Sequence, residues 1–228
     1  MSSIIITGAN GGLGTAVTNR LVEDGYRVLA VTGVSGPGAL AKIKNLTSFQ
    51  VDLMNQDQAE SFVNKAIMTA DLNAAVLLVG GFAMGRLADT RKEDLEKMIG
   101  LNFYSAFNIV KPLMKHFLSR PEGGRFILVG SRPGLDTSAG KDFFAYSLSK
   151  AMVFKLAEFI NAEGKEKNVD ATVIVPSTID TEANRKAMPD ADFSKWVTPE
   201  GIAGAISFYL SPEGRMIKEA VVKIYNRS

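Results

Sequence analysis

Tyr146 and Lys150 stand four residues apart in Tyr146-Ser147-Leu148-Ser149-Lys150, at the start of an apolar run that continues through Phe154, Leu156 and Phe159. A helix there puts both side chains on one face. A phenol with a pKa near 10 is a poor acid–base group at neutral pH unless a neighbouring positive charge stabilises its phenolate, and Lys150 can supply that charge. A phenol tuned in this way protonates a carbonyl oxygen while hydride reaches the carbon, or takes the proton back from an alcohol. A surface tyrosine with a solvated lysine produces the same spacing, so the pair by itself decides nothing. Fifteen residues before Tyr146, Ser131 follows the strand-like Gly124 to Gly130, where its hydroxyl could bond a substrate oxygen as charge develops there; an ordinary turn serine is the alternative. Asn102, in Gly100-Leu101-Asn102-Phe103, falls within a helical pattern that asparagine disfavours, which leaves either a dedicated role or a solvent-facing position.

A second group of residues speaks for a nucleotide. Thr7-Gly8-Ala9-Asn10-Gly11-Gly12-Leu13-Gly14 connects the first strand to a helical stretch, Thr15 to Glu23. A diphosphate approaches a helix N-terminus closely only where side chains are absent, and there free amides and the helix dipole favour its charge. Glycines also serve a tight turn with no ligand. At the end of the second strand, where a carboxylate would bind the adenosine ribose, stand Thr32, Gly33, Val34 and Ser35. With no carboxylate to repel a 2′-phosphate, NADP is favoured over NAD, although no arginine is present to hold that phosphate. Asp52, before Leu53, could reach the adenine amino group or simply close a turn.

These groups must be positioned by elements. Short β-branched runs alternate with helical segments, the pattern of parallel strands joined by crossover helices. Six or seven strands are expected, at Ser3 to Thr7, Arg27 to Thr32, Thr47 to Val51, Ala74 to Val79, Gly124 to Gly130, Val169 to Val175 and Glu219 to Tyr225. They are apolar on both faces, which implies helices on both sides of the sheet. Thr90 with Glu93 reads as a capping box, and Thr198-Pro199 as an N-cap with proline at the first helical position. Pro112 should kink or divide the long helical segment from Thr90 to Leu118. The loops at 33–38, 80–88, 131–142 and 176–197 all follow strands, so they should gather around one site beyond the carboxyl edge of the sheet.

The composition narrows the class. The 228 residues suffice for one α/β domain spanning 1–228, with 46% apolar and 22% charged residues. The 26 basic and 24 acidic residues are interspersed without a polybasic run, so no nucleic-acid partner is expected. The absence of cysteine excludes disulfides and thiolate metal sites. The lone His116 has no partner at metal-ligand spacing, so no metal is expected and the residue is read as lying on a helix surface. Met1-Ser2-Ser3 leads directly into Ile4, and the longest apolar stretch, around Ala74 to Met84, contains two glycines. A cytoplasmic protein without a membrane anchor is the expectation. Met98 to Met114 reads as core or subunit interface. Phe193 and Trp196 either form a lid over the cofactor or anchor their loop.

Taken together, Gly8, Gly12 and Gly14 after Thr7, then Asn102, Ser131, Tyr146 and Lys150, resemble the short-chain dehydrogenase/reductase family over nearly the whole chain. The resemblance implies an NAD(P)-dependent oxidoreductase acting on a small carbonyl or alcohol substrate. It gives Tyr146 the role of acid or base, and has Lys150 hold the nicotinamide ribose and lower the tyrosine pKa. Ser131 would orient the substrate, and Asn102 would hold a water in a proton relay. Gly80 and Gly81 would line the cofactor, and Pro176, Ile179 and Thr181 would grip the carboxamide. Helices around 93–118 and 143–165 would pair in a homodimer or homotetramer. The chain departs from the family pattern at Val79-Gly80-Gly81 and at Ser177. A local similarity to dihydropteridine reductases rests on Val79-Gly80-Gly81-Phe82, on Pro176-Ser177-Thr178-Ile179-Asp180-Thr181 and on the stretch from Asn184 to Trp196. That group lacks the catalytic serine and departs from the helical asparagine, and both are present here. Carbonyl chemistry is therefore preferred, with a quinonoid pterin reductase and a non-catalytic dinucleotide sensor as alternatives. Nucleotide-sugar epimerisation normally needs a larger C-terminal region than the one following Thr198.

Overall fold

The computed structural model describes residues 2–33 and 36–227. Val34 and Ser35, named above beside Thr32, lie outside the described residues, as does Met1. The strands are β1 (Ser3–Thr7), β2 (Arg27–Thr32), β3 (Leu46–Gln50), β4 (Leu72–Leu77), β5 (Gly124–Val129), β6 (Val169–Pro176) and β7 (Val221–Ile224). The order across the sheet is β3-β2-β1-β4-β5-β6-β7, and every pairing is parallel. This is a Rossmann-like α/β domain. The chain order reverses between β1 and β4, which opens a crevice outside their carboxyl ends.

The side-chain period of two in a strand sends alternate residues to opposite faces. Ile5, Leu29, Val31, Ala75 and Phe126 join one buried cluster with Phe62, Ile109, Leu113 and Val153. These helical residues belong to α2 (Gln56–Thr69), α4 (Ser105–Leu118) and α6 (Phe144–Gly164). Ile4, Ile6, Val28, Ala30 and Val76 join a second cluster with Val17, Leu21, Ile202 and Ile206. That cluster lies beneath α1 (Gly12–Glu23) and α8 (Pro199–Leu210). Apolar side chains on both faces of one strand thus require the helical layers on both sides. Met98 and Met114 are buried in the interior.

Thr198 caps α8 as expected, accepting from Gly201 N at 3.1 Å with Pro199 at the first turn. Two other helix expectations are corrected. Thr90 does not cap α3 (Lys92–Ile99): its hydroxyl donates to Arg86 O at 2.8 Å. Arg91 occupies the cap position instead, and its guanidinium pairs with Asp94 at 2.9 Å. Nor does Pro112 divide the segment, because α4 runs through it from Ser105 to Leu118. The irregularity lies earlier, in a π-helical turn over Gly100–Tyr104 that carries Asn102.

His116 lies on α4 and is half-buried, with Nε2 enclosed and unpartnered, and burial followed by the nearby Arg120 charge lowers its pKa. Among the described residues, no helix is long and apolar enough to cross a membrane. No group of three or more histidines and carboxylates is placed there to hold a metal.

Candidate active site

Tyr146, Ser131 and Lys150 meet at the carboxyl edge of β5. Ser131 caps the short helix α5 (Arg132–Leu135), where its Oγ accepts from Gly134 N at 3.2 Å. The same side chain lies close enough to the Tyr146 hydroxyl to pull its pKa down. Lys150, one helical turn after Tyr146, is 6% exposed and donates from Nζ to Val129 O at 2.8 Å. Burial lowers its pKa to about 8. Burial raises Tyr146 above its ordinary value and the nearby Ser131 side chain pulls it down.

Asn102 is 2% exposed, which removes the solvent-facing alternative. Its Oδ1 accepts from Gly81 N at 2.9 Å, while Nδ2 donates to Gly81 O at 3.1 Å and to Ser149 Oγ at 3.0 Å. Ser149 Oγ in turn donates to Tyr146 O at 2.8 Å. One amide thus joins the π-helical turn, the loop after β4 and the first turn of α6. Ser149 stood in the motif without an assigned role; a hydroxyl on the buried side of an apolar helix was the available signal. The space around Gly80 explains the glycine, since a methyl group there would lie 2.7 Å from Asn102 Oδ1 and 3.2 Å from Lys150 Nζ.

The glycine-rich turn lies across the crevice from this cluster. Gly8 has φ +64°, and a methyl group on Gly14 would sit 2.0 Å from Gly8 O. Only glycine lets the first turn of α1 pack so tightly against the turn. Gly11 precedes α1 without a side-chain cap, and Leu13 follows Gly12 in that first turn. A helix N-terminus that begins on glycines with no side-chain cap fits a dinucleotide diphosphate. Asn10 Nδ2 donates to Gly36 O at 2.8 Å, joining the turn to the loop after β2.

The remaining predicted residues occupy varied positions. Thr32 is buried at the end of β2, its hydroxyl directed to Phe49 O at 3.4 Å. Asp52 closes a turn, accepting at Oδ1 from Met54 N at 3.0 Å, and Leu53 O accepts from Asn108 Nδ2 at 2.9 Å. Pro176 ends β6, and Ile179 bridges to Val197. Thr181 caps α7 (Glu182–Ala187), and its methyl lies 2.9 Å from where a side chain on Gly12 would begin. The loop after β6 therefore folds over the glycine-rich turn. Trp196 is buried, its ring 4.7 Å from that of Phe193, over which the Arg185 guanidinium lies at 4.7 Å. Trp196 serves as an anchor of this loop.

Residues 2–192 match the family described as short chain dehydrogenase. The chain belongs to that family. Its relatives include 3-oxoacyl-acyl-carrier-protein reductase MabA of Mycobacterium tuberculosis, 30% identical over 97% of this chain and 90% of the relative. Dihydropteridine reductase of Dictyostelium discoideum is 24% identical over 99% of this chain and 95% of its own. Among solved structures, ElxO with NADP bound superposes with a TM-score of 0.87 at 22% identity, covering 98% of this chain and 96% of that one.

Proposed function

We propose that this short-chain dehydrogenase is an NADP(H)-dependent reductase of small carbonyl compounds, able to run in reverse on the alcohols. The Ser131 hydroxyl beside the half-buried Tyr146 phenol, with the buried Lys150 one turn away on Val129 O, is the observation that carries this reading. When bound, the dinucleotide supplies and takes back hydride. In reduction, the carbonyl carbon receives the hydride, the C=O π pair moves to oxygen, and oxygen takes the Tyr146 proton. Ser131 orients that oxygen and stabilises its developing charge. Lys150 has donors beyond the one spent on Val129 O, and these hold the nicotinamide ribose. Its ammonium also stabilises the phenolate once the proton has left. Asn102 fixes the Gly81 backbone against Ser149 and keeps the tyrosine turn in register with the loop that borders the cofactor.

Gly8, Gly11, Gly12, Leu13 and Gly14 receive the diphosphate, with Asn10 steadying the loop beside them. Thr32, Asp52 and Leu53 border the adenosine, while Gly80, Gly81, Pro176, Ile179 and Thr181 border the nicotinamide. NADP is preferred to NAD because β2 ends without a carboxylate, and a solved structure of the same fold carries NADP. The turn Val79-Gly80-Gly81-Phe82 favours one second reading, reduction of a quinonoid pterin, which a relative of this chain is named for. The whole chain works as one cytoplasmic domain, with 176–197 as the cofactor and substrate loop. It pairs as a dimer through α4 and α6, where Leu148 and Phe159 lie exposed on α6. Light scattering should then read twice the 24.5 kDa chain mass or a higher even multiple, and a monomer would contradict the pairing.

The deciding experiment titrates NADPH and NADH, then follows NADPH oxidation with ketones, aldehydes and a quinonoid dihydropterin. Tighter NADPH binding and turnover of a carbonyl are expected. Tyr146→Phe should lower turnover by at least about a hundredfold while keeping dinucleotide affinity. Undiminished turnover in that variant would move the proton to another residue, and absence of affinity for both dinucleotides would end the assignment.

A further inference from the structure

The first side chain after the Gly80-Gly81 pair that follows β4 is Phe82. Neither Gly80 nor Gly81 has room for one: a methyl on Gly80 meets Asn102 and Lys150, and a methyl on Gly81 would lie 2.7 Å from Leu101 Cδ1. The Phe82 ring meets Tyr146 edge-on, with centroids 5.1 Å apart and planes at 69°, and lies 5.3 Å from the Phe143 ring. It nevertheless remains 59% exposed. An aromatic ring beside the proton donor, with more than half its surface still open, presents a face or edge for another ring.

The loop that carries it is fastened in place. Gly85 N donates to Asp142 O at 2.9 Å, and Phe144 N donates to Gly85 O at 2.8 Å, forming a short parallel bridge to the start of α6. Arg86 adds an ion pair with Asp142 at 2.7 Å. Phe82 is thereby held in register with Tyr146. Met84 and Leu87, on the same segment, are also exposed apolar side chains.

We infer that the substrate is a flat aromatic carbonyl compound, an aryl ketone or aldehyde, whose ring packs on Phe82 while its carbonyl oxygen reaches Tyr146 and Ser131. This rests on the reductase reading above and names its substrate class. The reaction balances as aryl ketone plus NADPH plus a proton giving aryl carbinol plus NADP⁺. The carbonyl carbon gains hydride, its oxygen gains the Tyr146 proton, and solvent returns a proton to the phenolate. Aromatic pairs at 4.5–7 Å gain beyond simple area burial. A cyclohexyl ring of the same carbon count cannot pack flat and loses that gain.

The test compares acetophenone with cyclohexyl methyl ketone, by kcat/KM with NADPH, in the wild-type protein and in Phe82→Ala, Phe82→Leu and Phe82→Trp. The wild type should prefer acetophenone by about three- to tenfold, in line with an aromatic pair. Phe82→Ala and Phe82→Leu should erase most of that ratio, mainly through KM, and Phe82→Trp should retain it. If Phe82 merely braces Tyr146, kcat falls equally for both ketones and the ratio stays, which overturns the inference. Equal use of both ketones by the wild type overturns it too while leaving the reductase reading intact. NADPH oxidation with neither ketone, but with aliphatic aldehydes or the quinonoid dihydropterin, also counts against the aryl substrate. Failure with every acceptor overturns the reductase reading itself.

Discussion

Lys150 is buried at the end of β5, with Val129 O as the hydrogen-bond acceptor of its Nζ. Its pKa of about 8 in the folded protein lies below the roughly 10.4 of an unfolded lysine. Across that window the unfolded chain binds the extra proton, so stability rises with pH from about 8 upward. At lower pH the buried charge costs on the order of 3 kcal/mol. Lys150→Met should therefore melt above the wild type at pH 7 without dinucleotide, and the gap should close towards pH 10. Parallel pH profiles would contradict a buried ammonium. NADPH affinity should show the opposite trend, falling as pH rises past about 8 in the wild type and staying flat in Lys150→Met. Fluorescence titration across that range reads this directly. The two trends share a cause: one ammonium burdens the folded protein and attracts the anionic dinucleotide.

At the scale of elements, the site depends on a defect in a helix. The π-helical turn at Gly100–Tyr104 inserts between α3 and α4, and it turns Asn102 inward to bond both backbone groups of Gly81 and the Ser149 hydroxyl. Asn102→Ala would strip the part-buried Gly81 backbone of its amide partner and leave Ser149 with only its bond to Tyr146 O, at a cost of about 1–3 kcal/mol. Turnover should fall as well, because the Tyr146 turn loses its link to the loop beside the cofactor. Urea denaturation together with steady-state kinetics checks both effects. A loss of stability with unchanged kcat would make Asn102 purely structural. Pro112 sits within α4 without breaking it, so the functional irregularity and the proline are separate features of one long segment.

The molecule as a whole has two unlike ends. The carboxyl edge of the sheet gathers the loops of the site, while the amino edge is closed by Arg125, which is 1% exposed. Its guanidinium pairs with Asp170 on the neighbouring strand and donates to the carbonyls of Tyr209, Gly214, Arg215 and Ile217. Burial pushes the Asp170 carboxyl up, but its hydrogen bonds to Arg125 and Lys218 outweigh that and hold it below the usual range. The ion pair thus fastens the segment between α8 and β7 to the middle of the sheet. Arg125→Met should destabilise the protein by about 2–4 kcal/mol, since it leaves several carbonyls without their donor and a part-buried carboxylate with only one of its two cations, Lys218. Dinucleotide affinity at low temperature should be kept, because this edge lies opposite the site. Thermal melts and titrations in parallel test that separation, and a large loss of affinity in the folded variant would contradict it.

Much of this was legible from residue order. The alternation of β-branched runs with helical segments placed all seven strands to within a few residues, because strand burial on both faces is a local compositional signal. Ser131, Tyr146 and Lys150 stand out through the family resemblance of their order and spacing, and the fold brings them together at one strand end. The sequence could not tell whether Asn102 faced solvent or core, since a π-helical turn shifts helical phase and only the packing of Gly81 and Ser149 selects it. Nor could it tell that burial raises the phenol's pKa, because desolvation depends on what tertiary contacts cover the ring. The capping of α3 was misread for a related reason: Thr90 had a nearer acceptor in Arg86 O, created by the loop's own fold. Chemistry-bearing residue types and strand periodicity are local properties that sequence carries in full, whereas phase, burial and hydrogen-bond partner are settled by distant segments of chain that meet only in the folded protein.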